Sequence, residues 1–325
     1  MRLFRRQFLH FAVGAVAVPA VSRVARAQAY PSRPVRIIVG FAPGGVTDIM
    51  ARLMGQWLAE RLGQPFIIEN RPGAGGNIAT EAVVRAAADG YTLLLAGGND
   101  AINAALYRKL NFNFIRDITP VAGIAIGPNV VVVSLSVPAK TLPEFIAYAK
   151  ANPGAVNMAS AGTGSGNHMF GELFKAMTGV NMVHVPYRGG APAITDLIAG
   201  QVQVNFSPLP TSIEYIKAAR LRALAVTTAS RWPGLPDIPT VAEFVPGYEA
   251  STWTGIGAPR GTPAEIVEKL NDAVNAGLAD AKLKGQLFDL GATVLPGSPV
   301  DFAKFLVEET KKWGDVVKFS GAKVE

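Results

Sequence analysis

The chain of 325 residues contains no cysteine and only three histidines. The absence of cysteine excludes disulfide bonds, thiolate nucleophiles and thiolate metal sites, so the fold must depend on its packed core. The histidines, His10, His168 and His184, are too few and too widely spaced for a histidine-rich metal site. We therefore expect no metal and no cofactor, and for His168 and His184 a structural role is favoured over a catalytic one.

Outside the N-terminus the net positive charge is small. The formal net charge of +7 includes five arginines in the first 29 residues, which hold no acidic residue, so the remainder carries only +2. No basic run interleaved with aromatic residues occurs, and a nucleic-acid partner is therefore not expected. Beyond residue 29 the sequence also lacks an apolar run long enough to span a membrane.

The first 29 residues have the features of an export signal. Arg5 and Arg6 precede an apolar stretch from Phe11 to Val21 that is too short for a membrane span. Small residues suited to cleavage follow, ending at Ala27 or Ala29. We predict a signal peptide, of the twin-arginine or the general secretory type, with an N-terminal membrane anchor as the alternative.

The rest of the chain alternates apolar runs typical of buried strands with segments of helical periodicity. The order strand, helix, strand, helix, strand over residues 35–96 indicates a parallel α/β sheet. A similar unit begins near Asn129, and a proline- and glycine-rich segment from Trp232 to Gly247 leads back to the first. We predict two domains, residues 30–128 with 250–325 and residues 129–249, each a parallel-rich sheet flanked by helices and joined by hinge crossovers.

Two glycine-rich loops, each between a predicted strand and a predicted helix, are the most informative motifs. Glycine lets backbone N–H groups converge on one oxygen, and a helix N-terminus adds positive dipole character. At the carboxyl ends of parallel strands, the loops predict two cradles that grip one anionic ligand from opposite sides. They are Phe41-Ala42-Pro43-Gly44-Gly45-Val46-Thr47-Asp48, the first loop, and Ala161-Gly162-Thr163-Gly164-Ser165-Gly166-Asn167-His168, the second loop.

Other interpretations of these loops stay open. Either loop alone is equally typical of a tight turn that binds nothing. The run Gly162–Gly166 resembles a dinucleotide fingerprint without its full spacing, and no Walker lysine is present. An exported hydrolase using Ser165 or Asp48 is the alternative function, although Ser165 and His168 at one helix start do not supply triad geometry. For the first loop we expect Thr47 or Asp48 to cap the helix and order the loop.

Seven motifs resemble those of the Bug receptors, TctC-like periplasmic solute-binding proteins of tripartite tricarboxylate transport systems. The resemblance covers essentially the whole mature chain. It implies a type II-like Venus-flytrap fold in the periplasm, a small organic carboxylate as ligand, integral-membrane transporter subunits as partners, and a monomer. The motifs are FAPGG at 41–45, ENRPGAGG at 69–76, DGYTLL at 89–94, HVPYRG at 184–189, LAVT at 224–227, PDIPTVAE at 236–243 and APRGTP at 258–263.

The same resemblance implies a set of binding residues. The two loops are expected to clamp a ligand carboxylate, partly through ordered water. The distal end of the ligand is expected to meet the loop at Gly98 and Asn99, the turn at Tyr187 and Arg188, the strand end at Ser207, and Thr254.

Two positions depart from the family pattern. Val46 stands where a small polar residue is usual, which removes a hydroxyl but leaves the backbone donors. Phe206-Ser207-Pro208 replaces the usual Phe-Asp-Ser, and the missing acid disfavours amino-acid ligands. A receptor that feeds a sensor kinase rather than a transporter is a further alternative.

Overall fold

The computed structural model describes residues 30–323, so the predicted signal peptide and its cleavage sites lie outside the described residues. Within that range the strands join in one ten-stranded mixed sheet. They are β1 (Val35–Val39), β2 (Phe66–Asn70), β3 (Thr92–Gly97), β4 (Ile118–Val133), β5 (Val156–Ser160), β6 (Met182–Pro186), β7 (Val204–Pro208), β8 (Arg222–Val226), β9 (Ser251–Pro259) and β10 (Thr293–Val294).

Helices cover the sheet, and their apolar positions recur at helical spacing. In α1, for example, Met50, Met54 and Leu58 are buried at every fourth position, and the helix ends where Gly63 adopts a left-handed φ of 73°. The helices are α1 (Val46–Leu62), α2 (Asn77–Val84), α3 (Gly98–Leu106), α4 (Phe114–Asp117), α5 (Leu142–Ala151), α6 (Gly166–Thr178), α7 (Gly190–Ile198), α8 (Leu209–Lys217), α9 (Ala264–Ala279), α10 (Ala281–Asp289) and α11 (Pro299–Ser320).

The long strand β4 is shared by two parts of the sheet. Up to Pro128 it pairs with β9, and near Ile126 with β10. From Asn129 onward it pairs with β7 and β8 instead. We call β2-β1-β3-β9-β4-β10 the first half and β4-β7-β5-β6, with β8, the second half.

The predicted parallel α/β arrangement is confirmed in both halves. Strand β1 runs parallel to β2 and β3, and β5 runs parallel to β6 and β7. The returning strand β9 is antiparallel to both β3 and β4, so its first residue, Ser251, lies at the same edge as the carboxyl end of β3. This edge, together with the carboxyl ends of β5, β6 and β7, faces the junction between the halves.

Helix α9 begins differently from the expectation for its sequence. The pattern from Thr262 to Glu265 predicts a threonine cap. The residue that precedes the helix is instead Pro263, and the Thr262 hydroxyl donates to the Pro259 carbonyl at 2.8 Å. The predicted threonine cap is therefore wrong, because a backbone carbonyl in the preceding turn takes the hydroxyl.

Aromatic stacking joins the two halves on either side of the junction. Phe170 of α6 stacks on Trp313 of α11 with ring centroids 5.0 Å apart. On the other side, Trp232 stacks on Phe288 of α10 at 4.9 Å. One buried cluster includes residues of both halves, such as Ile38 and Phe145. None of the helices in residues 30–323 has the length and apolarity needed to cross a bilayer.

Candidate functional site

The two glycine-rich loops have the same local structure. Each follows a strand whose carboxyl end faces the junction and leads into a helix, β1 into α1 and β5 into α6. In each, a glycine at the equivalent place has a positive φ, Gly44 at 84° and Gly164 at 79°, and the second loop has a further one, Gly162 at 134°. The next residue, Gly45 or Ser165, precedes the helix. Because no earlier turn lies N-terminal to them, the first backbone N–H groups of α1 and α6 have no acceptor within residues 30–323.

The Asp48 carboxylate holds the first loop. It accepts hydrogen bonds from the Gly44 backbone N–H at 2.9 Å, from Nε and Nη2 of Arg52 at 2.9 and 3.0 Å, and from the Asn70 side-chain amide at 2.9 Å. Asn70 also donates to the Phe41 carbonyl at 2.9 Å. The hydrogen bonds from Arg52 are the main reason that the pKa of the Asp48 carboxyl is lowered to about 2.

The expected helix cap at Thr47 or Asp48 is wrong. Gly45 precedes α1, and Asp48 is the third residue of the helix. Its carboxylate nevertheless orders the first loop, because it reaches back to the Gly44 N–H.

His168 takes the corresponding place in the second loop. Its Nδ1 accepts the Gly164 backbone N–H at 3.0 Å, so that nitrogen carries no proton and the ring hydrogen is on Nε2. Nε2 lies 3.6 Å from the Glu172 carboxylate, which also binds Lys175 at 2.9 Å. Each loop is thus held by a residue in the first turn of its helix and supported by an oppositely charged or polar partner four residues later.

A second histidine supports the second loop from the neighbouring strand. His184 of β6 stacks on His168, with ring centroids 3.6 Å apart and planes 11° apart. Its Nε2 lies 2.6 Å from the hydroxyl of Ser160, which in turn accepts the Gly162 backbone N–H at 3.1 Å. Burial is the main reason that the pKa of His184 is lowered to about 4.

Sequence reasoning did not foresee the role of Ser160, the last residue of β5. A hydroxyl residue immediately before a glycine-rich loop was the only signal, and its histidine partner comes from another strand. Ser160 is fully buried, so this serine–histidine pair is a structural support rather than a nucleophile that a substrate reaches.

The expected distal residues are placed in different ways. Gly98 and Asn99 do not form a loop: they begin α3, because the Asp100 carboxylate accepts the Gly97 N–H at 2.9 Å and the Thr80 hydroxyl at 2.6 Å. The expected loop at these two residues is therefore wrong, because they form the N-terminus of a helix.

The side chains of three other expected distal residues are hydrogen-bonded or buried. Tyr187 donates its hydroxyl to Asp196 at 2.7 Å. Ser207 is buried and donates to the Pro208 carbonyl at 3.2 Å. Thr254 is also buried, with its hydroxyl 3.6 Å from the Met50 sulfur. Arg188 follows Tyr187 in the turn after β6 and is exposed.

A cavity of about 190 Å³ lies at the junction beside the first loop. The second loop does not line this cavity. It packs closely against α3 of the first half: a Cβ atom added to Gly164 would lie 2.1 Å from the Leu106 side chain. The cavity therefore brings residues of the first loop together with Thr254 and with α8. From the first half its lining includes Val46, Thr47, Met50 and Thr254, and from the second half Pro210 and Thr211.

Replacing Asp48 by asparagine should loosen the first loop. Both carboxylate oxygens accept from N–H donors, so an amide NH₂ in place of either oxygen would face a donor. We expect a loss of about 2–3 kcal/mol in the free energy of unfolding, typical of hydrogen bonds to a charged group. Urea denaturation checks it, and Asp315→Asn, at an exposed ion pair of α11, is the control and should change stability by less than about 0.5 kcal/mol. Equal losses in the two variants would contradict the prediction.

The same carboxylate predicts an acid dependence of stability. Its pKa is lowered from 3.8 to about 2 in the folded chain, so its stabilising contribution is present above pH 3.8 and is lost as the pH falls towards 2. Denaturation at a series of pH values should therefore show the wild type and Asp48→Asn converging below pH 3.8. A difference between them that stays constant down to pH 2 would show that the charge of Asp48 contributes nothing.

Comparison with known proteins identifies the family. A family model described as "Tripartite tricarboxylate transporter family receptor" matches residues 50–321. The protein BugT of Bordetella pertussis is 36% identical over 313 residues, covering 95% of this chain and 96% of BugT.

Two similar proteins have solved structures with a carboxylate. R. palustris Rpa4515 with adipate is 42% identical, with a TM-score of 0.80 over 91% of this chain and 100% of that one. MatC (Rpa3494) from Rhodopseudomonas palustris with bound malate is 37% identical, with a TM-score of 0.76 over 89% of this chain and 100% of that one. The chain belongs to the tripartite tricarboxylate transporter receptor family of periplasmic solute-binding proteins, the family that its sequence motifs predicted.

Proposed function

We propose that the chain is exported to the periplasm, captures a small organic carboxylate between two domains, and delivers it to the membrane subunits of a tripartite transporter. The observation that carries this proposal is the pair of equivalent loops. Each presents the N–H groups at the start of a long helix, and each is held by its own side-chain support.

The proposed chemistry needs no cationic side chain. A buried carboxylate requires hydrogen-bond donors for both oxygens, and oriented backbone N–H groups at a helix N-terminus supply them. Asp48 and His168 keep the glycine turns in one conformation, so little loop ordering remains to be done when the ligand binds. Ordered water completes the shell in this proposal.

The proposed domains are residues 30–128 with 250–325 and residues 129–249. The change of partner along β4 at Asn129 supports this division. At the same place two crossing segments meet, because Thr227 donates to the Asn129 carbonyl and Ala250 donates to the Thr227 carbonyl, both at 2.9 Å. A ligand that binds both loops favours the closed arrangement of the domains and so drives closure about these crossings.

The relatives support a carboxylate as the ligand, since the two solved structures named above hold adipate and malate. The hydrolase alternative has no support from the loops. The Ser165 hydroxyl donates to the Gly162 carbonyl at 2.6 Å, His168 Nδ1 is occupied by Gly164, and Asp48 is held by Arg52. Neither candidate nucleophile therefore has a free base beside it.

The proposal is tested on the protein purified from the periplasm. Its N-terminus, determined by mass spectrometry, should follow Ala27 or Ala29, and its elution volume should be that of a monomer. In thermal-shift and calorimetric titrations, adipate, malate, hexanoate and benzoate form the panel, and adipamide is the uncharged control. At least one acid should raise the melting temperature and remain unchanged by chromatography, while adipamide should not bind.

Three results would overturn parts of this proposal. If no acid of a wider panel binds, or adipamide binds as well as the acids, the carboxylate receptor is wrong. Conversion of the ligand would indicate a hydrolase. Capture of a sensor kinase rather than transporter subunits by the closed, ligand-bound receptor would indicate a sensing role.

A further inference from the structure

We infer that the cavity beside the first loop receives an uncharged, apolar ligand body, so this receptor prefers carboxylates with an alkyl or aromatic body to dicarboxylates of the same length. The inference rests on the proposed function, because it places the ligand carboxylate at the first loop. The cavity is lined in the first half by Val46 and Thr47, the first two residues of α1, and in the second half by Pro210 and Thr211 of α8.

The charge of the cavity supports this inference. None of its lining residues is acidic or basic. A second carboxylate on the ligand would leave water without meeting a cation, and a buried charge without a partner is strongly disfavoured. Val46, which stands where the family usually has a small polar residue, is part of this uncharged lining.

Most polar groups along the wall already have partners. Thr252 donates its hydroxyl to the Asn129 side chain at 2.9 Å, and the Trp253 indole donates to Glu309 at 3.1 Å. Within residues 30–323, the hydroxyls of Thr47 and Thr211 are left without a side-chain hydrogen bond. Two hydroxyl groups are enough for one polar atom of a ligand but not for the full shell of a carboxylate.

The size of the cavity fits a ring or a short chain. Its volume is about 190 Å³, and an apolar cavity of about 150 Å³ is known to accept benzene. Small residues in the lining create this room: Ala125 and Gly127 of β4, and Gly291 and Ala292 after α10. A phenyl ring or a chain of about six carbon atoms fills such a space.

The decisive comparison is hexanoate against adipate, which share a six-carbon chain and differ in one terminal carboxylate. Isothermal titration calorimetry of the wild-type receptor should give hexanoate a dissociation constant at least about 10-fold lower than that of adipate. Benzoate against terephthalate repeats the test with a ring. Because the unsubstituted receptor is used, the result does not depend on any variant folding.

A positive charge introduced at Thr211 should reverse the preference for hexanoate over adipate. Thr211→Arg adds a cation to the cavity lining contributed by the second half and should strengthen adipate binding relative to hexanoate by at least about 10-fold. Thr211→Leu fills similar space without charge and should not favour adipate. Thr195→Arg, on the exposed face of α7, adds the same charge elsewhere and should leave the ratio unchanged.

The outcomes separate this inference from the proposed function. If adipate binds the wild type as tightly as hexanoate or more tightly, the inference is wrong and the carboxylate receptor stands. If Thr211→Arg folds and leaves the ratio unchanged, the cavity does not hold the distal end of the ligand. If none of these acids binds and no other carboxylate does, the proposed function itself fails.

Discussion

Replacing Gly164 by alanine is expected to remove most of the ligand affinity and to destabilise the fold. Gly164 has a φ of 79°, and a Cβ at this position would lie 2.1 Å from the Leu106 Cδ2 atom. An alanine in the left-handed region costs about 1–2 kcal/mol, and overpacking adds about 1–3 kcal/mol. Because the Gly164 N–H binds His168, any shift also displaces the start of α6, which presents the proposed donors.

Gly44 offers a matched control in the equivalent loop. Its φ is 84°, but nothing lies within 4 Å of a Cβ built on it. Gly44→Ala should therefore cost only the backbone strain of about 1–2 kcal/mol, while Gly164→Ala should cost about 2–5 kcal/mol. Urea denaturation measures both losses.

Both variants are expected to weaken ligand binding by at least about 10-fold, since each reshapes one of the two proposed cradles. Calorimetry with the tightest acid of the panel measures this effect. If Gly164→Ala binds as tightly as the wild type while Gly44→Ala does not, the second loop is a structural turn and the two-sided cradle is wrong. Equal destabilisation by the two substitutions would contradict the packing of Gly164 against Leu106.

The sequence predicted the fold where local patterns and strand order agree. Strands β1 to β3 were foreseen because apolar runs alternate with helical spacing and glycine marks the turns. For strand β4 the sequence indicated only that a unit begins near Asn129, because Pro120, Gly123 and Pro128 break the first part of the strand, where the pairing with β9 also shifts register. Tertiary pairing, rather than local propensity, makes that segment a strand.

The candidate site divides in the same way. Both loops were predicted because glycine content and position after a strand are local signals. The supports of the loops are not local: His184 reaches His168 from another strand, and Asn70 reaches Asp48 from β2. The helical conformation at Gly98 was also missed, because it depends on Thr80 holding Asp100 at the helix start. Contacts between distant segments therefore account for what the sequence did not reveal.

Glu309 is expected to be the most important single carboxylate for the junction. Its side chain is buried in α11, where one oxygen accepts the indole N–H of Trp253 at 3.1 Å and that of Trp313 at 2.8 Å. The other oxygen pairs with Lys312. Trp253 lies on the crossing strand β9, and Trp313 stacks on Phe170 of the second half, so Glu309 connects the proposed hinge to the opposite domain.

Glu309→Ala should lower the free energy of unfolding by about 3–5 kcal/mol, because it leaves two buried indole donors and the lysine without a partner. Glu309→Gln separates these contributions. Its amide oxygen can still accept both indoles, and only the ion pair with the partly exposed Lys312 is lost, at a cost of about 1 kcal/mol. Urea denaturation gives both values, and near-ultraviolet circular dichroism reports the tryptophan packing. If glutamine destabilises as much as alanine, the ion pair rather than the indole hydrogen bonds secures the junction. If neither variant is destabilised, the position of β9 does not depend on its contact with α11 through Glu309, and the proposed connection between the hinge and the opposite domain is wrong.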